Sequence, residues 1–161
     1  MKEEINVLLS ICMAIFNTEH YLSEAIESIL NTKCDKFELL LVNDGSTDSS
    51  GNICVEFLSN DGRVKYIEQE NGGLCAARNT GLKNAIGDYV WFVDSDNIIN
   101  NEIDKLVLFL EKLDNKYDII YSNYSRFVGN TVFWESNHDY DNERLEKFNY
   151  IEAAAYLWGD I

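Results

Sequence analysis

Asp94 and Asp96 stand two residues apart at the end of the apolar run Tyr89–Val93, in the stretch YVWFVDSDN. Carboxylates are costly to bury without partners, so this pair must face water, a cation or a hydrogen-bonding ligand. On an extended chain, residues i and i+2 point to the same side, which predicts both carboxylates facing one way. Hard oxygen ligands of this kind suit Mg2+ or Mn2+, with a ligand diphosphate completing the shell. A solvated strand-end turn is the plainer alternative, with Asp96 or Asn97 helping to start the next helix. The position directly after an apolar strand favours the metal reading.

Two further stretches carry chemistry. In VNDGSTDSS, Asp44 follows an apolar run and is either part of a turn or an acceptor for a base or ribose. In ENGGLCAARNTGL, paired glycines precede a helical pattern that contains Arg78. Those glycines make a loop and helix start, or they offer backbone amides that address a nucleotide together with Arg78. Neither G-x-x-x-x-G-K-[ST] nor G-x-G-x-x-G is present, which argues against a P-loop and a dinucleotide fingerprint. His20 and His138 are isolated in sequence, with no nucleophile constellation around either. Phe133, Trp134 and Tyr140 read as packing residues before they read as a sugar platform.

The elements that must position these residues alternate. Residues 6–16, 37–43, 64–69, 88–94 and 117–124 read as strands. Between them, residues 19–32, 46–60, 72–86 and 101–113 read as helices, the second beginning near Asp48 with Ser46 and Thr47 as caps. Strand–helix alternation at this spacing predicts crossover units and a mostly parallel sheet with helices on both faces. In such sheets ligands bind beyond the carboxyl ends of the strands, so the residues after each strand should converge in one crevice. The last third is different: a strand or hairpin is predicted around Thr131–Trp134, then a polar acidic segment, then a helix over 149–160 capped by Asn149.

Composition narrows the classes. The 161 residues are 46% hydrophobic, enough for a packed core. A net charge of −15, from 28 acidic and 13 basic residues, argues against nucleic acid as a partner. It also means that a phosphate ligand would need Arg, backbone amides or a cation to hold it. The four cysteines, Cys12, Cys34, Cys54 and Cys75, form no CxxC pair and no Cys/His cluster, so zinc and a disulfide framework are not expected. No secretory signal or spanning run is recognisable, which predicts a cytoplasmic location. Proline is absent, so turns fall to Gly, Asn, Asp and Ser.

Taken together, SICMAIFN (10–17), VNDGSTD (42–48), ENGGLCAARNTGL and GDYVWFVDSDN resemble, in order, the motifs of family 2 glycosyltransferases. These are inverting nucleotide-sugar transferases with a GT-A fold, a Rossmann-like mostly parallel α/β sheet with helices on both faces. The resemblance covers residues 5–123. It implies that Ala14, Phe16 and Asp44 line a nucleoside pocket with Glu19 at its edge, Asp44 bonding the base. Arg78 would approach the nucleotide, and Asp94 and Ser95 would touch ribose or phosphates. Asp96 would be the direct ligand of Mn2+ or Mg2+, with Asp94 beside the cation, directly or through a water. The implied partners are a nucleotide-sugar donor, with UDP-sugars foremost, and a saccharide or lipid-linked acceptor reached at the inner face of the membrane.

Two departures stand out. Ala14 takes the place of the family's usual proline. The acidic base expected in an ED motif beyond the D-x-D is not recognisable, so the catalytic base is unassigned; Glu135, Asp139, Asp141 and Glu143 match it poorly. The expectation is a single, truncated GT-A domain over 1–161. Residues 1–123 would be its nucleotide-sugar part and 124–161 the start of the acceptor side. A nucleotidyltransferase would show a basic, Gly-rich first loop, which SICMAIFNTEH does not offer; a non-catalytic nucleotide-binding module is the other alternative.

Overall fold

Four apolar segments bounded by Gly, Asn, Asp and Ser become the strands of one sheet. The computed structural model describes residues 6–99 and 103–112 and, as backbone, residues 125–128 and 131–135. In chain order the elements are β1 (Leu9–Ile15), α1 (Glu19–Leu30), β2 (Phe37–Asn43), α2 (Ser50–Asn60), β3 (Val64–Glu68), α3 (Leu74–Asn84), β4 (Tyr89–Asp94) and α4 (Ile103–Leu110). They belong to a first unit, Met1–Lys116. A second unit, Tyr117–Ile161, contains an antiparallel hairpin of β5 (Ser125–Val128) and β6 (Thr131–Glu135). The strand predicted over 117–124 and the helix predicted over 149–160 lie outside the described residues, as do His138 and Tyr140.

The sheet is parallel in the order β3-β2-β1-β4. The chain therefore builds outward from β1 to β3, then returns across the sheet to lay β4 on the other side of β1. Right-handed crossovers in opposite directions put their helices on opposite faces. On one face Leu9, Ile11, Met13, Ile15, Leu39 and Leu41 pack against Leu22, Ile26 and Ile29 of α1, Cys54 of α2 and Val107 of α4. Each large aliphatic side chain buried there contributes about 1.5–3 kcal/mol. On the other face lies α3, whose Gly81 sits against Cys12 and Val42. The reversal of direction beside β1 makes the carboxyl ends of β1 and β4 the flanks of a natural crevice.

Arg63 secures the far end of α1, whose last turn has no basic residue of its own. Its guanidinium donates to the carbonyls of Leu30, Thr32 and Cys34 and stacks 4.8 Å over the Phe37 ring. The orphan carbonyls of that helix end are thus satisfied from a distant loop.

Predicted and observed boundaries differ at the start of α2. The helix begins at Ser50, and Ser46 and Thr47 are not its caps. Their polar groups are committed to Asn17, as described below.

All four cysteines are free thiols. Burial, reinforced at Cys12 by the charge of Glu38, pushes the Cys12 thiol up to about 12, and burial pushes Cys54 to about 12 as well. Thiolates are the reactive form. Iodoacetamide at pH 8 is therefore expected to modify exposed Cys75 first and half-buried Cys34 next. Cys12 and Cys54 should react only after denaturation, and intact-mass spectrometry over time reads the order. Comparable rates at all four would contradict a closed sheet.

Candidate nucleotide site at the strand carboxyl ends

Two loops meet over the ends of β1 and β2 and cap each other's helices. Asn17, at φ 53°, donates its backbone amide to Ser46 Oγ (3.1 Å) and accepts from the Thr47 amide through Oδ1 (2.8 Å). The Glu19 amide, in the first turn of α1, donates to Asp48 Oδ2 (3.1 Å). In return the Ser49 amide, at the start of α2, donates to Glu19 Oε2 (2.8 Å). Each carboxylate sits at the other helix's positive end. The Ser49 amide holds the Glu19 carboxyl below its ordinary value. Burial pushes Asp48 upward, but the bonds from Ser50 and the Glu19 amide outweigh it and hold that carboxyl low. Glu19, expected at the edge of a nucleoside pocket, is engaged in this joint.

Asp44 directly follows β2 and is 2% exposed. Its Oδ1 accepts from Gln69 Nε2 (2.6 Å) and the Gly72 amide (2.9 Å), and its Oδ2 accepts from the Gly73 amide (2.8 Å). Its carbonyl accepts from Asn71 Nδ2 (3.0 Å). A carboxylate offers about four lone-pair directions, so one on Oδ2 is left beyond these bonds. The glycine-loop amides at 72 and 73, which the sequence offers to a nucleotide, are turned onto Asp44 instead. Gly45 has φ +72°, and a Cβ there would lie 2.9 Å from the Asn71 amide nitrogen. Only glycine fits this turn at no steric cost.

Arg78 reaches from α3 to the end of β4, where its Nη2 donates to Asp94 Oδ1 at 2.7 Å. The Arg78 side chain is 18% exposed and the Asp94 side chain 48%. Ala14 is paired in register with both Val42 and Asp94, so β1 lies between the two acidic strand ends. Phe16 projects with 49% of its surface exposed, Ser95 is 6% exposed, and Asp96 is exposed.

The same-side argument for Asp94 and Asp96 does not hold. β4 stops at Asp94, and the Asn97 amide donates to the Asp94 carbonyl (3.1 Å). The chain turns immediately, so the two acids are not successive members of one extended face. Among the described residues, no group of three or more His, Cys, Asp or Glu could hold a metal by itself. Two carboxylates at a strand end fit a hard cation only if ligand oxygens, such as those of a diphosphate, complete its shell.

The sequence reading missed Gln69 and Asn71 as parts of this apparatus. Gln69 directly follows β3, so the same strand-end rule that singled out Asp44 and Asp94 would have found it.

A parallel α/β sheet of this order, with Asp44, Arg78 and Asp94 at its carboxyl edge, is a fold of the GT-A type. The chain belongs to glycosyl transferase family 2, whose family model matches residues 10–160. It is 44% identical over 171 residues to Glycosyltransferase GlyA of Streptococcus pneumoniae, covering 95% of this chain and 24% of that one. With Glycosyltransferase GlyG of the same organism it is 38% identical over 155 residues, 94% of this chain and 51% of the relative. The chain thus spans about half or less of these relatives' lengths. Among solved structures, S. aureus TarS 1–349 in complex with UDP matches with a TM-score of 0.60 at 33% identity, covering 66% of this chain and 32% of that one. Among the described residues no helix is long and apolar enough to cross a membrane.

Proposed function

We propose that this chain is the donor-binding part of a metal-dependent, inverting glycosyltransferase. It would take a sugar from a UDP-sugar and deliver it to a saccharide or lipid-linked acceptor at the cytoplasmic face of a membrane. The observation that carries the reading is the Arg78–Asp94 pair beside the β1–β4 switch point, in a chain 33% identical to TarS, which has been solved with UDP. Residues 1–123 would hold the donor, and 124–161 would begin the acceptor side.

Asp44 would accept an imide N–H of the base through its remaining lone pair. Ala14 and Phe16 would flank the base, with Glu19 bracing the loop at the pocket's edge. Arg78 would address the phosphates, and Ser95 with Asp94 the ribose or phosphates. Asp96, with Asp94 nearby, would hold Mn2+ or Mg2+, which supplies Lewis-acid stabilisation for a departing diphosphate. The catalytic base is not assigned to any described residue.

Calorimetry of the chain with UDP, with and without Mn2+, tests this. Binding is expected with Mn2+ and is expected to weaken by about tenfold or more without it, or in Asp96→Ala, the loss of one strong charged contact. If neither UDP nor GDP bound, or if Asp96→Ala behaved as the unaltered chain, the reading would fail.

A further inference from the structure

Behind Asp44 stands a relay that touches no proposed ligand. Thr80 Oγ1 on α3 lies 2.5 Å from Gln69 Oε1, and Gln69 Nε2 lies 2.6 Å from Asp44 Oδ1. The chemistry fixes every proton direction along it. A carboxylate toward two backbone amides acts as acceptor, so the Gln69 amide must turn its NH2 to Asp44. Its oxygen then faces Thr80, whose hydroxyl must donate. The Gln69 backbone amide is also tied to the Asn43 carbonyl (3.0 Å), so the stem of this side chain starts from a fixed point at the sheet edge. Gln69 and Thr80 are both partly shielded from water.

The consequence is an asymmetric carboxylate. Oδ1 is filled by Gln69 and Gly72, whereas Oδ2 carries Gly73 alone. Without Gln69, Asp44 could rotate, and its spare acceptor direction would no longer be single.

We propose that Gln69, oriented by Thr80, is a positioning residue that sets the direction of the one acceptor Asp44 has left, and so governs which base edge the site takes. This rests on the proposed nucleotide site. A base with a ring N–H at that edge, as in uracil, meets an acceptor. Cytosine presents a ring nitrogen acceptor at the same position and meets repulsion. A hydrogen-bonding site rejects a mismatched analogue because its own polar group is left unpaired. The relay therefore acts on discrimination between UDP and CDP more than on affinity alone.

The test uses the chain with Gln69→Leu, Thr80→Val and Thr80→Ser, titrated with UDP and with CDP in the presence of Mn2+. Amide exchange at Gly72 and Gly73 is read separately in the absence of nucleotide. The unaltered chain is expected to prefer UDP. Gln69→Leu and Thr80→Val are each expected to cut that preference by about tenfold, one hydrogen bond's worth, while Thr80→Ser keeps it. The double variant should lose no more than Gln69→Leu alone, because one relay is broken once. A general weakening of the fold would lower both affinities together and leave their ratio intact, and that result overturns the proposal. Exchange at Gly72 and Gly73 is expected to quicken by about tenfold in Gln69→Leu. If the unaltered chain bound no nucleotide, the proposed function would fall. Unchanged exchange in Gln69→Leu would then overturn the relay independently.

Discussion

Asp44→Ala is expected to remove measurable UDP binding, a loss of more than about a hundredfold, equivalent to roughly 2.7 kcal/mol. The residue has two tasks, and alanine performs neither. The ligand would lose its acceptor at the base edge, and the loop carrying Gly72 and Gly73 would lose the carboxylate that gathers it. Stability should suffer less than affinity. Gly72 and Gly73 are exposed, so water can replace Asp44 at their amides, and the orphaned Gln69 amide is the main cost. A drop of about 1–3 kcal/mol is expected, the scale of one or two buried polar groups left unmet. Asp44→Asn should bind little better. Its NH2 would face one of the donors that now point at the carboxylate, and that repulsion replaces a bond. Calorimetry and thermal melting on the same samples separate the two effects. Near-normal UDP affinity in Asp44→Ala would remove Asp44 from the site.

Glu38→Leu is expected to give the largest loss of stability, about 2–4 kcal/mol, or on the order of 10 °C in melting temperature. Glu38 is 2% exposed, the second residue of an otherwise largely apolar strand. Its Oε1 accepts from Ser10 Oγ (2.5 Å) and the Ile86 amide (2.8 Å), and its Oε2 lies 2.6 Å from Lys65 Nζ. Ser10 Oγ in turn accepts the Gly87 amide (2.9 Å). At Gly87 the backbone passes so close to β1 that a Cβ would lie 2.7 Å from the Ser10 nitrogen. Leucine would strand Ser10, which is fully buried, and take the acceptor from the Ile86 amide, while Lys65, about half exposed, would retreat to water. Glu38→Gln should cost less, because its carbonyl can still accept from Ser10 and Ile86.

This effect depends on pH. Burial pushes the Glu38 carboxyl upward, but Lys65, Ser10 and the Ile86 amide outweigh it and hold it below the ordinary value. A carboxyl depressed in the folded state binds its proton later there than in the unfolded chain. Its stabilisation is therefore full above about pH 4.5 and is lost as pH falls through the folded value. The melting gap between the unaltered chain and Glu38→Leu should be constant near neutrality and shrink below about pH 4. A gap that stayed the same at pH 3 would contradict this account.

The sheet was legible in the sequence because its strands are short apolar runs with turn residues between them. FELLLVN reads as a strand at sight, and every one of its residues is buried. The same run hid Glu38, because nothing local announces that Lys65 will stand across a strand pairing in which Leu40 is opposite Lys65. Register between distant segments decides such contacts, and one sequence does not display register. Asp44 and Asp94 were singled out by the rule that ligands gather at strand ends, and Arg78 because it follows paired glycines at a helix start. Their present partners were not. Which acceptor takes the Gly72 and Gly73 amides depends on a turn whose geometry forms only when β2 and β3 are side by side. The same-side argument for Asp94 and Asp96 assumed an extended backbone past Asp94, where the predicted strand itself ends and the chain turns.

The exchange of caps between Glu19 and Asp48 has a consequence for how the chain folds. Neither Thr18 nor Ser49 supplies a side-chain bond to its own helix: the Glu19 amide of α1 rests on Asp48 and the Ser49 amide before α2 on Glu19, while Asp48 also takes the Ser50 amide locally. A short helix nucleates poorly alone. Here the Glu19 and Ser49 amides gain their acceptors only when β1 and β2 have come together and brought residues about thirty positions apart into touch. The two helices therefore share one fate: they form with the first strand pairing and fray with its loss, as a single cooperative unit of β1, α1, β2 and α2.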